Sequence, residues 1–323
     1  MHFAFSNEQF AFRDAVRELL ARECPPSVVR GAWTNESGRA MNLWSQLGEM
    51  GVVGALASEG AGGLGFGVVD LVLVMEEMGY VAVPEPIVEH AFVVVPLVPY
   101  AAGVLTGALT VTAQCALERV VAHAGTADFL LLHRDDRFHL VARSDVTLSP
   151  RSSVDGSRRL AEVAWEPDPA AAVGNARETA AAFDRGVLGN AAQLVGLARR
   201  MLDLTVEYVT ERRQFGVRIG TFQAVKHHLA DARIALEFAR PLVYRAAWSV
   251  THNDPDQSVH VSMAKAKAGD AALLAARKAL QCHGAIGYSY EYDLHLFMKR
   301  AWALAASWGD VAWHRARVGR AIL

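Results

Sequence analysis

The stretch ERRQFGVRIGTFQAVKHHLAD, residues 211–231, sets Arg212, Arg213, Gln214 and Phe215 ahead of Gly216, with Gln223 a few residues on. A guanidinium offers a planar fork of donors that matches phosphate oxygens two at a time. An amide adds a donor and an acceptor, and an aromatic edge suits a flat ring. Together they would receive a diphosphate that carries a planar ring. A plainer account exists. Two cations in the last turn of a helix oppose its dipole, for about 0.3–1 kcal/mol each. On such a helix the two arginines would point about 100° apart, so only one could aim at a given ligand.

Other candidates are weaker. His227 and His228 are adjacent, so on a helix they diverge and cannot form an i, i+4 metal pair. Cys282-His283 has the residue types of a thiol nucleophile, but no matching acid–base set accompanies it, and cysteine is usually a small buried hydrophobe. The glycine run GAGGLGFG, Gly60 to Gly67, has no Gly-Lys-Ser/Thr closure and no convincing strand before it. It reads as a helix-to-helix loop rather than a nucleotide cradle.

The elements that must hold these residues follow from patterning. The 323 residues carry a formal net charge of -2 and are 52% hydrophobic, enough for a large core and no bulk attraction to nucleic acid or anionic membrane. Three widely spaced cysteines fit neither a disulfide framework nor a zinc site, and a reducing cytoplasmic setting is expected. The first residues lack the pattern of a signal peptide. The apolar stretch Ala91 to Leu105 is broken by Pro96 and Pro99 and falls short of the roughly 20 residues a bilayer requires.

Residues 1–100 read as helical. Ser6 and Gln9 form a capping box, Phe10, Ala11, Val16, Leu19 and Leu20 supply an apolar stripe, and Pro25-Pro26 stops it. Further helices cover Met41 to Met50 and about Val68 to Gly79. Residues 101–173 break into short β-type runs, with Arg134-Asp135-Asp136-Arg137 as a hairpin turn. Residues 174–323 return to helical periodicity. Leu194, Leu197, Met201, Leu204 and Tyr208 form a stripe. Thr221 is expected to cap the next helix, Pro241 to kink or divide it, and Asp254-Pro255 to open another. Gly216 and Gly284 should end helices. The expected class is mainly α with a small β domain.

At residues 208–231 and again at QCHGAIGYSYEYDLHLFMKRA, Gln281 to Ala301, the sequence resembles the acyl-CoA dehydrogenases, and the resemblance extends over nearly the whole chain. It implies an N-terminal helical domain, a middle β domain and a C-terminal four-helix bundle. It also implies FAD and α,β-dehydrogenation of an acyl-CoA thioester. A carboxylate takes the α-proton while the β-hydride goes to the flavin. The same resemblance assigns Arg212, Gln214, Phe215, Gln223, Gln281, Gly284 and Ala285 to the diphosphate and adenosine of a neighbouring subunit's FAD. Ala285 stands where a second glycine is usual.

The departures from the pattern carry equal weight. The family places its base at one of two positions, which here hold Trp308 and Gly186, so no catalytic residue is assigned. Asp310 and Asp184 each lie two residues away, a turn of about 200° on a helix. The middle segment LTVTAQCALERVVAHAGTADFLLL passes almost directly from one strand to the next and lacks the acyl-CoA loop and the aromatic-Ile-Thr flavin contact. The chain therefore resembles a reduced partner subunit of a heteromeric (α2β2) acyl-CoA dehydrogenase, like those of actinobacterial steroid, or cholesterol, degradation. Its partners would be a complete subunit, the acyl-CoA and an electron-transfer flavoprotein or similar acceptor. Two alternatives stay open: a homomeric enzyme using Asp310 or Asp184, and a flavin-free acyl-CoA-binding scaffold.

Overall fold

A computed structural model describes residues 4–99 and 101–323. Tyr100 and the first three residues lie outside the described set. The chain opens with α1 (Asn7–Glu23), α2 (Pro26–Thr34) and α3 (Met41–Glu49). The Ser6–Gln9 capping box forms in both directions at the start of α1. Two expectations change here. Phe10 and Ala11 are exposed, and the apolar face begins at Val16. Pro25-Pro26 ends α1, but Pro26 also occupies the first turn of α2, where a missing N–H costs nothing. The glycine run at 60–67 is a loop leading into α4 (Val68–Tyr80). A π-helical turn (Val88–Val94) and the short α5 (Ala102–Leu105) complete this region.

The middle region has two small sheets. In the first, β1 (Val111–Ala113) runs parallel to β3 (Phe129–Arg134), which pairs antiparallel with β4 (Arg137–Ala142) and through it with β7 (Ala172–Val173). In the second, β2 (Val120–Val121), β6 (Ala161–Ala164) and β5 (Thr147–Pro150) lie in that order. Asp135 and Asp136 both adopt positive φ, as a two-residue hairpin turn with right-handed strand twist demands.

The C-terminal bundle consists of α6 (Ala176–Glu211), α7 (Gln223–Thr251), α8 (Gln257–His283), α9 (Leu294–Ala306) and α10 (Val311–Ile322). Between α6 and α7 a two-residue ladder, β8 (Arg213–Gln214) with β9 (Val217–Arg218), closes on Phe215-Gly216. Two more expectations are corrected, at Thr221 and Asp254, and the one at Pro241 is narrowed. Thr221 does not cap α7: its hydroxyl donates to the Arg218 carbonyl, and Phe222 sits at the cap without a side-chain bond. Pro241 does not divide α7, which continues through it. Asp254 accepts the Asp256 N–H in a turn before α8, so the helix begins two residues later than the Asp-Pro pair implied.

One apolar core runs through the N-terminal helices and the bundle, and a second, smaller one lies in the sheets. Glycines explain how closely α4 and α6 cross. A Cβ on Gly196 would fall 1.9 Å from the Glu76 carbonyl oxygen, and one on Gly79 2.1 Å from that of Gln193. Glycine inside a helix costs about 1 kcal/mol relative to alanine, and this contact is the reason for it. Buried cations tie the parts together. Arg39 donates to Glu85 at 2.6 Å, and Arg300 on α9 reaches the Val83 carbonyl, Ser157 and Asp155.

Candidate functional site

The helix α6 ends at Glu211, and Arg212 is its C-cap, donating its N–H to the Tyr208 carbonyl at 2.9 Å. Gly216 is therefore not the helix stop. With Phe215 at φ 53° and Gly216 at φ 80°, it forms the tip of the β8–β9 hairpin. Arg213 is consequently a strand residue, so the separation of the two arginines comes from the strand's alternation of side chains rather than a helical step. The Phe215 ring is 91% exposed and stands edge-on to Phe222, with centroids 6.2 Å apart.

The second group begins where α8 stops. Gly284 caps that helix at φ 65°, ψ -142°, a region that residues with a Cβ avoid, and space around it is open. Gln281, Gly284 and Ala285 are exposed. A stack connects this turn to the end of α6: Tyr208, one turn before Arg212, lies over His283 with ring centroids 4.3 Å apart. His283 is also fixed by the Ala279 carbonyl and the Tyr292 hydroxyl. The sequence motif showed His283 only as part of Cys282-His283. Its structural task is to join the two exposed groups. Burial holds the Cys282 thiol above its usual range, which argues against the nucleophile reading.

The polar side chains of this face are unpaired, a property that Arg119, Arg137, Arg177, Arg277 and Arg320 share elsewhere on the surface. Among the described residues, the side chains of Arg212, Arg213 and Arg218 make no hydrogen bond or ion pair, and neither do those of Gln214, Gln223 and Gln281. Elsewhere Arg17, Arg39, Arg199, Arg240, Arg245, Arg300 and Arg317 all hold carboxylates. His228, by contrast, accepts from Lys278 Nζ at 3.0 Å. A cleft of about 460 Å³ between α1, α4 and α6 is lined by Arg17 and Arg199 and includes none of the six unpaired side chains.

The two expected base positions lie elsewhere, and they meet. Trp308 is 2% exposed, and a Cβ on Gly186 would come within 2.4 Å of its six-membered ring. Trp308 has φ 57°, an unusual conformation for so large a side chain, and Gly309 follows at φ 83°. Both polar groups of its backbone are held. Its N–H donates to Glu118 Oε1 at 2.6 Å, and its carbonyl accepts from His314 Nε2 at 2.8 Å. Burial lowers His314 to about 4, so the ring stays neutral, donates from Nε2 and accepts the Ser262 hydroxyl at Nδ1. Glu89 lies near the indole, and burial pushes its carboxyl up.

Neither nearby aspartate is free. Asp184 is 2% exposed and accepts from Arg317 at 2.8 Å and from Ser258. Asp310 caps α10 by accepting the Trp313 N–H at 2.8 Å. Below them, Lys265 is fully enclosed. It donates to Asn190 Oδ1 and to the Leu304 carbonyl, and burial lowers it to about 7.

With this geometry, residues 6–103 match the model of the acyl-CoA dehydrogenase N-terminal domain and residues 177–323 that of the C-terminal domain. The chain belongs to the acyl-CoA dehydrogenase family, a family of FAD-dependent oxidoreductases, as its motifs implied. It is 32% identical over 306 residues to the acyl-CoA dehydrogenase IpdE2 of Mycolicibacterium smegmatis, covering 92% of this chain and 93% of that one. Its fold superposes on a chain of the ChsE4-ChsE5 complex of Mycobacterium tuberculosis with a TM-score of 0.88, at 23% identity, over 99% and 98% of the two chains. Butyryl-CoA dehydrogenase of Megasphaera elsdenii gives 0.84 at 20% identity over the full length of both. Among the described residues, no helix is long and apolar enough to cross a membrane.

Proposed function

We propose that this chain is the non-catalytic subunit of a heteromeric acyl-CoA dehydrogenase and completes the FAD site of a full-length partner. The observation that carries this reading is the unpaired donor face. Three guanidinium and three amide side chains stand exposed around one hairpin and one helix end, with no internal partner. Unsatisfied cations are common on surfaces. A set of three guanidiniums, three amides and an exposed aromatic suits an external polyanion with a flat ring.

Arg212 would hold the diphosphate. Gln214, Gln223 and Gln281 would take the remaining oxygens and the adenosine edge, Phe215 would lie against a ring, and Gly284 with Ala285 would let a ligand reach the backbone. Bound FAD supplies the acceptor for the β-hydride of an acyl-CoA thioester whose α-proton a carboxylate removes. That carboxylate would come from the partner, because Trp308 and Gly186 fill the positions here and both nearby aspartates have structural partners. Val206, Ile234 and Phe238 are exposed on α6 and α7 and would be covered by the partner. A bulky, steroid-derived acyl group is proposed by analogy with steroid-degrading dehydrogenases.

Flavin quantitation tests the reading. Expressed alone, the chain should hold little FAD. Co-purified with a complete subunit encoded beside it, it should give one FAD per unlike pair. Two per pair, or a stoichiometric flavin in the homomer, overturns the proposal.

A further inference from the structure

Trp308 sits where a ligand would otherwise be needed to explain the protein's shape. Its indole covers Gly186 so closely that the glycine cannot carry a methyl group. Both polar groups of its backbone have partners, the N–H in Glu118 and the carbonyl in His314. Glu118 is the unexpected member. It belongs to the short connection between β1 and β2, which curls back on itself: Gln114 donates to the Glu118 carbonyl at 3.0 Å, and the Glu118 N–H donates to that of Cys115 at 2.9 Å. That connection is the segment in which the sequence lacks an acyl-CoA loop and a flavin contact. The shortened segment thus brings a carboxylate onto the backbone of the residue that stands at one base position, while the other base position shrinks to hydrogen.

We infer that Trp308 is an internal occupant, clamped by Glu118, that fills this chain's own acyl chamber and leaves it no acyl-CoA site. The inference deepens the non-catalytic reading and rests on its assignment of residues 186 and 308 to the base positions. It adds that the loss is steric as well as chemical. Restoring a glutamate at either position would not restore a site, because the ring, its clamp and the missing Cβ are a matched set. It also defines what an emptied chamber would accept: a flat, apolar, indole-sized molecule.

The experiment is a mutant cycle on the full-length chain. Gly186→Ala should lower the unfolding midpoint of the parent, although alanine is the better helix former. In the Trp308→Ala background the same change should be neutral or raise it, since the obstruction is gone. Trp308→Ala alone should lower the midpoint by roughly 5–12 °C, as expected for emptying a buried tryptophan site. Free indole at millimolar concentration should recover several degrees and bind one per chain, and should do neither with the parent. Should Trp308→Ala not fold, Trp308→Phe keeps a ring over Gly186, and the Gly186→Ala penalty should then be smaller than in the parent but still present. The inference is overturned if Gly186→Ala has the same effect in both backgrounds, or if the parent chain alone binds an acyl-CoA thioester one to one. Flavin content of the assembly is independent of this cycle. An assembly without flavin would sink the proposed function and leave the plug standing.

Discussion

The face built by residues 212–223 and 281–285 and the interior around Trp308 descend from the same kind of constraint and were resolved in opposite ways. On the face, side chains able to bind are exposed and unspent. Arg212, Gln214, Gln223 and Gln281 have no internal partner. In the interior the groups nearest the two base positions are committed, although the buried Arg158 guanidinium makes no hydrogen bond among the described residues. Asp184 holds Arg317, Asp310 holds a helix end, Lys265 holds Asn190, and Trp308 is bonded at its N–H and its carbonyl. A region that serves another molecule keeps its polar groups unsatisfied in the free chain. A region that serves the fold keeps few of them so, because a buried unpaired donor or acceptor costs about 1–3 kcal/mol. Substitutions on the two sides should therefore separate binding from stability.

The largest effect belongs to the interior. Asp184→Ala would leave the Arg317 guanidinium without its carboxylate and should destabilise the chain by about 3 kcal/mol, read from denaturant unfolding. Turnover per folded assembly should stay within a few-fold. The reverse pattern, intact stability with a loss near 10²-fold or more, would make Asp184 a base and erase the contrast.

On the face the pattern should invert. Arg212→Ala removes charge-assisted bonds worth about 1.5–3 kcal/mol, which weakens FAD affinity of the assembly by about 10–150-fold without moving the unfolding midpoint of the chain alone. Arg212→Lys should recover part of this, since a point charge lacks the fork. Arg213→Ala should matter less, because its side chain leaves β8 on the alternate side. Should Arg213 prove the more damaging change, the hairpin faces its ligand with the other edge.

Lys265 sharpens the interior half through pH. Burial places its folded value near 7, below that of an unfolded lysine, about 10.4. Between those values only the unfolded state carries the proton, so this residue makes stability rise with pH, and its contribution is flat below 7. The difference between parent and Lys265→Met should change by up to about 1.4 kcal/mol per pH unit from pH 7 to 10. A pH-independent difference would mean that Lys265 is charged in the fold.

Much of this was legible in the sequence, for reasons that differ by residue. The helices with 3.6-residue periodicity, the Ser6–Gln9 cap and the Asp135-Asp136 hairpin depend on local patterns, and they formed as expected. The errors also share a cause. Thr221 and Asp254-Pro255 have the composition of caps, but their polar atoms close tight turns just ahead of the helices. Gly216 looked like a helix stop because a two-residue hairpin is too short to show alternation. The α2 helix was missed because Pro25-Pro26 stops one helix and starts another. The meeting of Gly186 with Trp308, 122 positions apart, could not be read at all. Both were noted as missing carboxylates, and only the fold shows that one fills the space the other vacates.

The smallest expected effect is the most discriminating for the homomeric alternative. Asp310 is exposed, and its carboxylate accepts the Trp313 N–H at 2.8 Å, the bond an N-cap makes. Asparagine caps about as well as aspartate, so Asp310→Asn should shift stability by no more than a few tenths of a kcal/mol. Asp310→Ala, which removes the acceptor, should cost about 1 kcal/mol. Neither should change turnover of the assembly more than a few-fold. The measurement pairs thermal unfolding with acyl-CoA oxidation for both variants. A base would respond differently: asparagine cannot take a proton, so Asp310→Asn would lose 10²–10⁴-fold in rate while keeping its cap and its stability. The ordering of the two variants decides the matter more cleanly than either magnitude. A cap ranks alanine as the worse change in stability and leaves rate alone. A base ranks both as equally dead whatever their stability, and that outcome would return the self-sufficient enzyme to the front.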